Sequence, residues 1–181
     1  MKVQRAFHLL KHFSNISSLA EERFLLDGYE KTDIRSQLTS LGSKFFSSFC
    51  DSPFDLPDLL KESNLTKQFL QQNGRAVKIY AFDRPVGNDT IAHKSFIESS
   101  YTGELMQEIR NNYSVQTFIC SELPATNTLV LIEDPATNEW VSCFPGKYAP
   151  PLPSNEMNPK SFLDAKEFWD NHVFLKLHVE K

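Results

Sequence analysis

The sequence predicts an α+β fold: an amino-terminal helical layer packed on a mostly antiparallel sheet of about five strands, with a late helix before the last strand. Three observations predict it. Apolar residues recur every three or four positions through the first seventy residues, the period switches to two near residue 76, and a Pro- and Asn-containing stretch at 134–138 separates two β-rich runs. Helices gathered on a sheet bury the apolar surface of both. A chain of 181 residues is expected to form a single domain, helix-rich over 1–74 and sheet-rich over 75–181.

Val3, Phe7 and Leu10 share one face of a first short helix, with His8, Lys11 and His12 at its rim. Ser18 and Glu21 fit a capping box for a second, which runs through Phe24 to a stop at Gly28. Asp33 is expected to cap a third, long helix carrying Ile34, Leu38, Leu41, Phe45 and Phe49 and ending at Cys50. Pro57 then opens a fourth, with Leu59, Leu60, Phe69 and Leu70, stopped by Asn73 and Gly74. Residues 76–82 alternate as a strand, 83–89 ("DRPVGND") read as loop, and 91–97 are ambiguous. Leu105 and Ile109, four apart, suggest a short helix from about Thr102 to Arg110. Strands are expected at 114–120, at 128–133 and 139–144 joined by the 134–138 turn, and at 173–179. Four prolines between Pro145 and Pro153 keep that segment extended, and Asn158 with Pro159 opens the last helix, through His172.

Nineteen basic and 23 acidic residues give a net charge of −4, with the acidic excess in the second half. A polyanion binder usually carries a basic excess, so nucleic acid is not an expected partner. No run approaches the roughly 20 apolar residues of a membrane helix, and a soluble chain is expected. Cys50, Cys120 and Cys143 are odd in number, far apart and set among apolar residues, which suits reduced core thiols and a cytoplasmic location. The basic first 20 residues lack a secretory h-region; a first helix explains them, with a targeting segment as the alternative.

No cofactor is expected: the chain has no phosphate-cradling glycine loop, no GxSxG elbow and no cysteine–histidine zinc spacing. His8 and His12 share a helix face, but two ligands do not make a metal site. Asp51, Asp55 and Asp58 lack the glycine of a calcium loop. The candidate catalytic group is His93, whose proton affinity its neighbours would tune, with Lys94 and Arg75 as charge stabilisers. The candidate ligand-binding residues are Phe144, Lys147 and Tyr148 on the proline-rich rim and Asp89 on the 83–89 loop, since stiff loops over a sheet commonly hold sites. His172 is expected in the last turn of the terminal helix as a capping or packing residue.

Helices first and antiparallel sheet second is an order similar to that of small microbial ribonucleases and their toxin relatives, a likeness of fold order that assigns no residue. Two functions are expected in order of preference. The first is a binding domain without catalytic activity, for a protein or small-molecule ligand; the abundance of Phe and the absence of a catalytic constellation favour it. The alternative is a general acid/base hydrolase, possibly ribonuclease-like, using His93, Lys94 and Arg75 together with Lys147. Composition leaves the oligomeric state open, because 15 phenylalanines suit a dimer interface and a two-sided core equally.

Overall fold

A computed structural model describes residues 1–96 and 103–177. The fold is α+β with mostly antiparallel sheets, as the hydrophobic periodicity predicts. The chain forms two compact units, 1–88 with 125–147 and 89–124 with 148–181.

The first unit holds helices α1 (Val3–Leu9), α2 (Ser18–Leu26), α3 (Lys31–Leu38) and α4 (Leu56–Leu60). Its strands are β1 (Asn64–Leu70), β2 (Ala76–Ala81), β3 (Gly87–Asn88), β7 (Ala125–Thr126), β8 (Thr128–Glu133) and β9 (Trp140–Pro145). The order β1-β2-β8-β9 makes an antiparallel sheet, and β3 pairs with β7 in a separate two-stranded ladder. Leu9 and Leu56 from the helices, with Phe13, Phe45 and Phe49 from the irregular chain between them, pack with Leu129, Leu131 and Cys143 from the sheet. Ala6, Leu10, Phe24 and Ile34 form a second cluster among the helices.

Three sequence expectations fail in this unit for identifiable reasons. The third helix stops at Leu38 instead of reaching Cys50. Thr39 and Ser40 turn their hydroxyls back to the Ser36 carbonyl, Gly42 takes φ 138°, and the Lys44 ammonium caps the Leu38 carbonyl at 3.2 Å. Phe45 and Phe49 keep their four-residue spacing because both reach the core; Phe45 does so from a bridge to Phe13 and Gly87. The fourth helix ends at Leu60, and residues 64–70 are a strand, because Asn73-Gly74 turns a β1–β2 hairpin instead of stopping a helix. In α2 and α3 the caps move: Ser17, not Ser18, accepts from the Ala20 N–H, and Asp33 lies inside the first turn, bonding the Glu30 N–H. Within the 83–89 loop, Gly87 and Asn88 form β3.

The second unit holds β4 (Ile91–His93), β5 (Glu104–Arg110), β6 (Tyr113–Cys120), α5 (Pro159–Asn171) and β10 (His172–Leu177). Its sheet order is β4-β10-β6-β5, antiparallel except where β10 runs parallel to β6. Each four-stranded sheet is thus close to the five strands expected of one. Asn158 caps α5 by accepting from the Ser161 N–H, with Pro159 at its first position, as the sequence indicates. Ala92, Phe118, Cys120, Val173 and Leu175 form a small buried cluster. The helix expected over 102–110 is instead β5, and Thr102 lies outside the described residues. Asn111 and Asn112, at φ 49° and 64°, turn β5 directly into β6; positive φ at both central positions is the pattern of the tight hairpin turn that Asn tolerates. Ile91–His93 resolves the ambiguous stretch as strand, with Ile97 outside the described residues, as are His178 and Val179 of the last strand. His172 is the C-terminal cap of α5, as expected, and also the first residue of β10.

Candidate functional site

The sequence-predicted residues divide between the two units. In the first, Arg75 is exposed at the β1–β2 hairpin, where its N–H donates to the Asn73 side chain. Phe144 is half-buried on β9 with its ring 5.5 Å from His12, and Lys147 is exposed just beyond that strand. Ala76 pairs with Glu133 at one end of the sheet, while Pro145 pairs with Leu129 at the other, so Arg75 and Lys147 stand at opposite ends.

In the second unit Asp89 is buried, and its carboxylate accepts from the Ile91 N–H at 3.1 Å. That is the geometry of a turn-forming aspartate. Lys94 and Tyr148 are half-buried and His93 is exposed. His93 does acquire a partner. It lies opposite His172 in the β4–β10 register, and the two rings meet edge to face with centroids 5.2 Å apart.

Backbone bonding sets the tautomers of this pair. His172 Nδ1 is 2.7 Å from the Phe168 carbonyl, which only accepts, so Nδ1 carries the proton. The same ring stacks on Phe168 at 3.8 Å. His93 Nδ1 accepts from the Ser95 N–H at 3.1 Å, so its neutral form carries the proton on Nε2. Next to His172, Asp170 accepts from the Tyr113 hydroxyl and from the Lys166 ammonium, both at 2.7 Å. Those bonds hold the Asp170 carboxyl below its ordinary range, while burial and the Asp170 bond push the Tyr113 phenol up to about 12. Tyr113 is therefore a neutral donor at neutral pH.

A concavity lies elsewhere, in the first unit. A cleft of about 450 Å³ is lined by Ser47, Ser48, Phe49, Cys50, Asp51, Asp55, Asp58, Leu59 and Glu62. Asp55 closes a 3-10 turn that begins at Pro53, Asp58 and Leu59 lie on α4, and Glu62 lies on the turn that follows that helix. Phe49, Cys50 and Leu59 supply apolar surface, and the carboxylates and serine hydroxyls supply the polar rim. Arg84 illustrates what such an edge receives: its guanidinium lies 5.4 Å over the Phe49 ring and 3.9 Å from the Glu62 carboxylate. In the sequence Asp51, Asp55 and Asp58 stand out only against the pattern of a calcium loop, which they do not fit, and the three- and four-residue spacing of Asp55, Asp58 and Glu62 is the signal that groups them.

The thiols are not poised for chemistry. Cys50, Cys120 and Cys143 are free and buried. Burial pushes Cys50, whose thiol donates to the Ser52 carbonyl, up to about 12, and burial raises Cys120 and Cys143 as well. Among the described residues no group of three or more His, Cys, Asp or Glu is placed to hold a metal ion, and no helix is long and apolar enough to cross a membrane. No protein-family model, curated protein or solved structure matches the chain.

Proposed function

We propose that the protein is a non-catalytic binding protein whose acidic cleft takes a basic segment of a partner protein. The observation that carries this reading is the 450 Å³ cleft, which pairs apolar surface from Phe49 and Leu59 with Asp51, Asp55, Asp58 and Glu62. Its volume falls in the range of ligand-binding clefts, and a Lys or Arg side chain matches it chemically, with an apolar stem and a cationic tip. Four carboxylates repel phosphate, in keeping with a partner other than nucleic acid. Free, buried thiols suit a reducing, cytoplasmic setting. No cofactor enters this reading.

A second reading, the acid/base hydrolase, is favoured by one specific observation. His93 and His172 carry their protons on opposite ring nitrogens, so one Nε2 is a donor and the other an acceptor. That is the complementary pair that proton transfer to and from a substrate requires.

One experiment separates them. A fluorescent octa-arginine peptide is expected to bind the protein in low salt and an octa-glutamate peptide not to bind. Asp55→Asn with Asp58→Asn should weaken binding at least about tenfold, roughly 1.4 kcal/mol, and His93→Ala should leave it unchanged. Absence of peptide binding, together with RNA cleavage that His93→Ala and His172→Ala each abolish, would replace the first reading by the second.

A further inference from the structure

The geometry points to a second copy of this chain as the partner of β5, joined edge to edge and antiparallel about a two-fold axis at Gln107. Among the described residues β5 pairs with β6 alone, and its other edge is open. It is seven residues long, and Leu105, Met106 and Ile109 are 53%, 42% and 78% exposed. A long, exposed apolar edge is a template for another strand unless the protein blunts it.

The other edges are blunted. β1 is broken by an irregularity between Leu65 and Lys67 and carries that lysine. β4 is three residues long, and β9 ends in Pro145 with α1 packed along it. β5 has no proline, no lysine and an unbroken register from Glu104 to Arg110.

Its sequence is also complementary to itself. Reversed about Gln107, Leu105 meets the second copy's Ile109, Gln107 meets Gln107, and Glu104 meets Arg110. Opposite charges meet at the ends and neutral Gln107 at the axis, while Met106 falls opposite Glu108, whose carboxylate accepts from Arg110 on its own strand. Backbone parity agrees. The two-residue Asn111-Asn112 turn closes on Arg110 and Tyr113 as a hydrogen-bonded pair, so Arg110, Glu108, Met106 and Glu104 bond to β6. Leu105, Gln107 and Ile109 therefore direct their N–H and carbonyl groups to the open edge. In the proposed register these are the residues that face one another, Leu105 with Ile109 and Gln107 with itself, giving on the order of six inter-chain hydrogen bonds. Glu104 and Arg110 fall in the non-hydrogen-bonded pairs, where opposing side chains approach most closely. A strand shifted by one residue would match neither the bonding groups nor the charges.

Analytical ultracentrifugation of the full chain tests this. The wild-type protein is expected to sediment at twice the chain mass at about 100 µM. Gln107→Pro removes an outward-facing N–H without touching the β6 ladder, and is expected to weaken association at least tenfold with an unchanged circular-dichroism spectrum. Glu104→Arg alone and Arg110→Glu alone should each be monomeric, because like charges then face each other. An equimolar mixture of the two should restore a dimer as the heterodimer. A monomeric wild-type chain at that concentration overturns the proposal, as does a dimer that all three substitutions leave intact; either result assigns the edge to a different partner or to none.

Discussion

His12 illustrates how a single side chain sets the acid response of the first unit. Its Nδ1–H donates to the Ser43 carbonyl at 3.0 Å. Burial, with Lys11 and Lys44 adding their repulsion, lowers its pKa to about 4 even though the Ser43 bond favours the charged ring. The unfolded chain titrates near 6.5. Between those values the unfolded chain binds a proton that the native chain does not, so stability falls as pH drops through 6.5 and the loss levels off near 4. The total is about 3 kcal/mol. Urea midpoints measured across that window should follow this slope, and His12→Asn, which keeps a donor for Ser43 without a titrating ring, should flatten it. An unchanged slope in that variant would move the acid sensitivity to another group.

At the scale of elements, the β5–β6 hairpin depends on two consecutive positive φ values, at Asn111 and Asn112. Replacing Asn112 by Gly should be neutral or stabilise by up to about 1 kcal/mol, because Gly enters that region without a Cβ clash. Val at the same place should cost about 1–2 kcal/mol. Thermal denaturation of the two variants checks the sign of both. This hairpin also shows why part of the fold was hidden in the sequence. A separation of four, as between Leu105 and Ile109, is one helical turn and also two full strand repeats, so it does not distinguish the periods. The same ambiguity extended the third helix to Phe45 and Phe49, whose spacing is set by core packing across the unit. Where turn chemistry and period agreed, the elements were legible: β8 and β9 around residues 134–138, and α5 behind Asn158 and Pro159. The loops around Asp89 and Tyr148 were also legible as loops. The cleft was not, because Ser47 to Asp51 reach the face of α4 only through the irregular chain that follows α3. The His93–His172 contact comes from a pairing of strands nearly eighty residues apart.

At the scale of the molecule, the expectation of one domain over 1–181 meets a chain with two compact units, and each unit holds one of the two tryptophans, Trp140 and Trp169. Among the described residues the second unit's hydrophobic cluster holds five buried residues, Ala92, Phe118, Cys120, Val173 and Leu175. Cores that small rarely stabilise a segment of this size unaided. It is therefore not expected to hold its fold once the first unit has unfolded. Trp140→Phe and Trp169→Phe, each leaving one fluorophore, should report coincident urea transitions at the Trp169 and Trp140 signals. A Trp169 signal that survives beyond the Trp140 transition would establish two domains.

The position of β10 between β4 and β6 also has a meaning in time. A ribosome delivers β4 and β6 early, yet they have no ladder with each other; the strand that joins them is residues 172–177. The first unit has all its strands once Lys147 has been made. At about 5–20 residues per second, β4 and β6 then wait on the order of seconds for their common neighbour. During nascent-chain synthesis that interval is when β6 offers a bare edge beside the hairpin, and it is the step at which a holdase chaperone would have most to do.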